Sequence, residues 1–197
     1  MDATLEALSR LGRFARTMTP NPRNIELALP AARALFTETG APFLIVGGVA
    51  VVHHGYLRTT EDIDVLVDPA SLPTLAGRAT AHGFMVESRT RLRHVASDVP
   101  IDLLIAGEPM PRPGSPRYPF PDATRASPND AAIVDLGLLC ELKLHAHRHR
   151  DLADVVELLQ RLTEGRYQEV EAAVPPIMRP ELAALRRDAL EEQSFHR

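Results

Sequence analysis

The chain is poor in cysteine, in lysine, in long apolar runs and in surplus positive charge, and each shortage closes off a class of protein. Its single cysteine, Cys140, permits neither an intrachain disulfide framework nor a cysteine-based zinc site. No stretch approaches the roughly 18 consecutive apolar residues of a membrane span, so no membrane association is expected. The opening MDATLEALSRLGR carries early acids and no apolar core, which argues against a signal peptide and for the cytoplasm. With 22 Lys+Arg against 26 Asp+Glu, the net charge of −4 is wrong for a general nucleic-acid coat, so any contact with RNA or DNA would use a local patch.

The shortage of lysine is more specific. Of the 22 basic residues, only Lys143 is lysine. In an Arg-, Ala- and Pro-rich background, a solitary ammonium is either chance or the mark of a site where a compact cation is needed rather than a planar fork.

What is present suits one domain. The 197 residues are 45% hydrophobic, ample for a packed core. Leu5, Leu8, Leu11 and Phe14 recur every third position and predict a helix over 2–17. A second helix is expected through 29–36, stopping at Gly40. Strands are expected at 43–46, 63–67, 84–87, 92–95 and 101–106, and helices at 49–55, 69–83, 131–146, 152–162 and about 180–192, with Leu182, Leu185 and Leu190 inward. The Pro-rich segment 107–129 reads as a long loop with a short strand near Tyr118. The mixture predicts an α/β or α+β fold, a short mixed sheet with helices packed on one side of it, and a C-terminal helical extension over 161–197.

The most informative stretch is FLIVGGVAVVHHGYLRTTEDIDVLVD, residues 43–68. Asp62 and Asp64 flank Ile63 at the start of a strand, and side chains two apart on a strand share a face. Paired carboxylates repel unless a cation lies between them, and such oxygen donors suit Mg²⁺ or Mn²⁺. Asp102, in VPIDLLIAG, is a third acid inside an apolar strand, placed to complete a triad. Gly47 and Gly48, between a strand and a helix, would let backbone N–H groups approach the phosphates of a nucleotide.

Taken together, GG, Arg58-Thr59-Thr60, Asp62-x-Asp64 and the later Asp102 resemble the DNA polymerase β type of nucleotidyltransferase, and within it the small prokaryotic enzymes related to abortive-infection and minimal-nucleotidyltransferase toxins. ELKLHAHRHRDLADVVELL, residues 141–159, resembles their second signature, with Lys143 on one helix and Arg150, Asp151 and Asp154 opening the next. The resemblance covers about 28–160. One departure is Gly48-Val49, where many relatives have a serine after the first glycine.

The resemblance implies a nucleotidyltransferase fold and transfer of a nucleoside monophosphate from an NTP to a hydroxyl, with loss of pyrophosphate. Asp62 and Asp64 would hold a metal on the triphosphate, Asp102 would share a second and orient the acceptor, and Lys143 would contact the triphosphate. Gly47, Gly48, Arg58 and Asp154 would complete the nucleotide site, although Arg58 equally reads as a helix cap or a partner of Glu61 or Asp62. The acceptor is open among RNA, protein and small molecules. The resemblance also implies a toxin setting with an antitoxin partner. Two rivals are a non-catalytic nucleotide- or partner-binding module on the same fold, and a D-x-D glycosyltransferase using Mn²⁺. The latter fits poorly because the chain is short and its D-x-D lies close behind a GG turn.

Other groups carry blander readings. His53 and His54 read as one packed and one exposed histidine. His145 and His149, four apart, would form a metal pair only if one helix ran through both. Cys140 reads as an inert core thiol. Arg89, Arg91 and Arg93 would share a face of a strand over 88–95, either as a charged edge or as an acceptor-binding stripe.

Overall fold

A computed structural model describes residues 3–18, 24–110, 119–124 and 132–195. The expected strand near Tyr118 lies outside them, as does the side chain of Phe14.

Helix α1 (Ala3–Met18) precedes α2 (Ile25–Glu38), which begins earlier than its apolar pattern suggests because the Asn24 side chain accepts from Leu27 N. Strand β1 (Phe43–Ile45) leads directly into α3 (Gly47–His53), and β2 spans Ile63–Val67. The single helix expected over 69–83 is instead a 3₁₀ turn (Pro69–Ser71), α4 (Leu72–Arg78) and a second 3₁₀ turn (Ala79–His82), closed by left-handed Gly83 at φ 78°. Then come β3 (Phe84–Ser88), β4 (Arg91–His94) and β5 (Val99–Ile105).

The five strands form one mixed sheet in the order β1-β2-β5-β4-β3. β2 and β5 are parallel at its centre, and the other pairs are antiparallel. The parallel register sets Asp64 opposite Asp102, and the antiparallel register of β4 sets Arg91 opposite Asp102. One row across three strands therefore reads Asp64, Asp102, Arg91. On the other face Ile63, Val65 and Val67 of β2 and Val99, Ile101, Leu103 and Ile105 of β5 are buried. They join the core with Ala28, Leu29, Ala32, Leu35 and Phe36 of α2 and the apolar residues of α3.

Helix α5 (Leu136–Ala146) starts five residues later than expected. Asp135 caps it by accepting from Leu138 N, and the preceding residues are extended, with Ile133 bridged to Ile45 of β1. It ends at His147, whose φ of 53° is left-handed. Helix α6 (His149–Gln160) then starts afresh, so His145 and His149 sit on different helices and the one condition for a metal pair is not met. Helix α7 (Glu164–Ala173) is absent from the sequence expectation, and α8 (Arg179–Phe195) closes the chain. These last helices pack back on α5 and α6: Arg186 of α8 donates to the carbonyls of Leu159 and Leu162. Leu182 is buried as expected, whereas Leu190 is exposed. Among the described residues no helix is long and apolar enough to cross a membrane.

Candidate functional site

Three carboxylates converge where β2 and β5 run side by side. One ligand oxygen from each of Asp62, Asp64 and Asp102 lies within 4.8 Å of the others. Among the described residues this is the one group of three or more His, Cys, Asp or Glu that could hold a metal ion. Asp64 and Asp102 sit in register on their strands, while Asp62 comes from the bend just before β2. Thr60 fixes that bend, its hydroxyl donating to Asp62 Oδ1 at 3.1 Å.

The crowding has an electrostatic signature. Burial first, then the charges of Asp62 and Asp102, push the Asp64 carboxyl up from 3.8 to about 7. Hard oxygen donors this close fit a Mg²⁺- or Mn²⁺-sized cation, which would remove the repulsion that raises Asp64.

The two glycines are explained by this packing. Gly47, at φ 59°, lies under Asp64, and a Cβ there would stand 1.8 Å from Asp64 Oδ2. At Gly48 a Cβ would stand 2.3 Å from the Thr60 hydroxyl oxygen. Both belong to the first turn of α3, whereas the sequence reading started that helix at Val49. Their lack of side chains makes room for the carboxylate and for the loop that carries Asp62.

The second motif forms a buried ionic frame beside the triad. Lys143 Nζ donates to Asp154 Oδ2 at 2.6 Å and to Asp151 Oδ1 at 3.3 Å, and all three residues are buried. Arg58 Nη2 donates to the same Asp154 oxygen at 2.9 Å. Arg150 donates to the carbonyl of Thr59 at 2.9 Å. Helix α6 thus ties down the 58–60 loop twice, through Asp154 and through Arg150. Asp154 itself is enclosed by Arg58 and Lys143, as a positioning group would be.

Arg148 is the residue that sequence reasoning missed. It stands at the N-cap of α6, exposed, with Nε on Asp151 Oδ2 at 2.6 Å. The Asp151 bond, and behind it the charges of Asp64 and Asp62, raise its pKa further. Burial pushes Asp151 up, but Arg148 and Lys143 outweigh it and hold the carboxyl below its ordinary value. The only sequence signal for Arg148 was its place in the basic run before Asp151.

A cavity of about 500 Å³ opens onto these groups. Asp64, Asp102, Lys143, Arg148 and Asp151 line one part of it. Leu139, Leu142, Lys143 and Ala146 form the stripe of α5 that faces it, at helical spacing, and Leu104, Met110 and Phe120 extend its apolar wall. The size and the mixture of apolar wall with a few charged groups are those of a small-molecule site.

The three arginines do not form an open basic stripe. Arg89 lies in the β3–β4 turn and pairs with Glu108 at 2.6 Å. Arg91 grips Asp102, and Arg93 engages Glu87 and Asp98. Nor is β4 an edge strand, since β3 lies outside it. His53 and His54 are both half-buried and hydrogen-bonded, His53 to Thr4 and His54 to the Val134 carbonyl. Cys140 is fully buried, and that burial pushes its thiol up to about 12, the setting of a core thiol.

The chain matches no protein-family model and no curated protein.

Proposed function

We propose that the protein is a metal-dependent nucleotidyltransferase that moves a nucleoside monophosphate from an NTP to a hydroxyl. One observation carries this reading: three carboxylate oxygens within 4.8 Å of one another, around an Asp64 held near 7, with Asp64 and Asp102 lining a cavity of about 500 Å³.

Asp62, Asp64 and Asp102 would hold Mg²⁺ or Mn²⁺, which when bound supplies charge neutralisation for the triphosphate and the departing pyrophosphate. The residues of the chain do the rest. Gly47 lets the Asp64 carboxylate sit against the start of α3, and Thr60 aims Asp62 at it. Arg148, exposed at the cavity, offers a guanidinium to phosphate oxygens. Lys143 lines the same cavity and holds Asp151 and Asp154 in place. Asp102 orients the acceptor hydroxyl and takes up its proton. The hydroxyl oxygen bonds to the α-phosphorus as the bond from that phosphorus to pyrophosphate breaks.

The acceptor class, whether RNA, protein or small molecule, and an antitoxin partner belong to the same proposal. Calorimetric titration of each NTP in Mg²⁺ and in EDTA tests the nucleotide site. The proposal expects binding that collapses in EDTA and in Asp62→Asn; binding indifferent to both would leave a nucleotide-binding module without a metal centre.

A further inference from the structure

Resting on the proposed metal site, we infer that Arg91 sets how many divalent ions the carboxylates hold: one at rest, with a second entering only alongside the triphosphate's own charge. Arg91 stands on the same row of the sheet as Asp64 and Asp102. Its Nε donates to Asp102 Oδ1 at 2.6 Å and its Nη2 to Asp102 Oδ2 at 2.9 Å, so the fork covers both oxygens. Each carboxylate oxygen has two lone pairs, so Asp102 keeps room for a metal contact. Its charge, however, is already matched.

The charge count follows from the other pairs. Lys143, Arg58 and Arg148 are committed to Asp151 and Asp154, three cations against two carboxylates. With all three carboxylates ionised, the triad with Arg91 carries a net charge of about −2, and the frame beside it adds no further negative charge, so one divalent ion is enough to balance it. A second ion then meets no net attraction until phosphate oxygens bring more negative charge. The Arg91 side chain is 47% exposed, so it is free to swing off Asp102 when that happens. Arg93 supplies the internal control. It lies two residues along the same strand, but its charge goes to Glu87 and Asp98.

Mn²⁺ binding followed by electron paramagnetic resonance, without nucleotide, tests this in the full chain. Wild type should bind one ion and gain a second when a non-hydrolysable NTP analogue is added. Arg91→Gln should take up two ions without nucleotide and bind the first about tenfold more tightly, the effect of removing one unit charge beside a partly solvated site. Arg91→Lys, which keeps the charge, should stay near wild type, and Arg93→Gln should be unchanged. Identical stoichiometry and affinity in Arg91→Gln and wild type would overturn the inference while leaving the metal site intact. An equal shift in Arg93→Gln would also overturn it, by tracing the effect to surface charge in general. No Mn²⁺ bound by wild type, with or without the analogue, would remove the metal site and this inference with it.

Discussion

Replacing Asp64 by Asn should make the metal-free protein more stable above neutral pH while ending its function. The Asp64 carboxyl is raised from 3.8 to about 7 by burial and by its two neighbours. An acid with a higher pKa in the folded state binds its proton more tightly there, so protonation favours folding. Below about pH 4 the group is protonated in both states and contributes nothing to the pH dependence. As pH rises from about 4 to about 7, the unfolded chain releases the proton and the folded one resists, so wild-type stability falls; above that it levels off. At 1.36 kcal/mol per pH unit, and allowing for water at the cavity, the loss is roughly 2–4 kcal/mol. The amide of the Asp64→Asn variant cannot ionise and escapes this loss. Urea unfolding of both proteins in EDTA from pH 4 to 8 should give curves that meet near pH 4 and separate by that amount above pH 7. Added Mg²⁺ should raise the wild-type midpoint and leave that of Asp64→Asn in place, because only the wild type has a full ligand set. Parallel pH profiles, or an Asp64→Asn protein less stable than wild type at pH 8 in EDTA, would refute the electrostatic reasoning.

Two further substitutions probe the frame around the triad. Lys143→Ala should cost about 3 kcal/mol in urea unfolding, since it strips the shared cation from two buried carboxylates, and Lys143→Arg should recover only part because a planar fork does not fit between them; stability within about 0.5 kcal/mol of wild type would contradict the buried frame. Gly47→Ala should cost at least about 2 kcal/mol, from the left-handed backbone and the added methyl on Asp64, and should abolish Mn²⁺ binding; a variant that binds Mn²⁺ as wild type does would show that Asp64 has another place to go.

Much of this arrangement was legible in the sequence because it rests on short-range rules. Period two put Asp64 and Asp102 in strands, and the Gly47-Gly48 pair marked a place where backbone must come close to something. The reason for the glycines was hidden, since it depends on Asp64 and Thr60 arriving from the next strand and loop. Helix α7 was hidden for a different reason. It buries only Tyr167 and Val170 among its ten residues, too few to print an apolar stripe. The start of α5 was misread because Ile133 and Val134 are as apolar as the helix that follows, and only the bridge to Ile45 makes them extended. The partners of Lys143, Arg58 and Arg91 are eight to ninety-six residues away in the chain, and no local spacing reports an ion pair across such distances.

The most direct test of the central claim is label transfer from NTPs carrying ³²P at the α-phosphorus. Wild-type protein is incubated with each in Mg²⁺ or Mn²⁺ and with total RNA or cell lysate as acceptor. The account predicts that label from at least one NTP becomes covalently attached to an acceptor, that pyrophosphate is released, and that both stop in EDTA and in Asp64→Asn at matched protein concentration. Transfer by Asp64→Asn equal to wild type, or no transfer by wild type from any NTP with either metal and either acceptor pool, would contradict it.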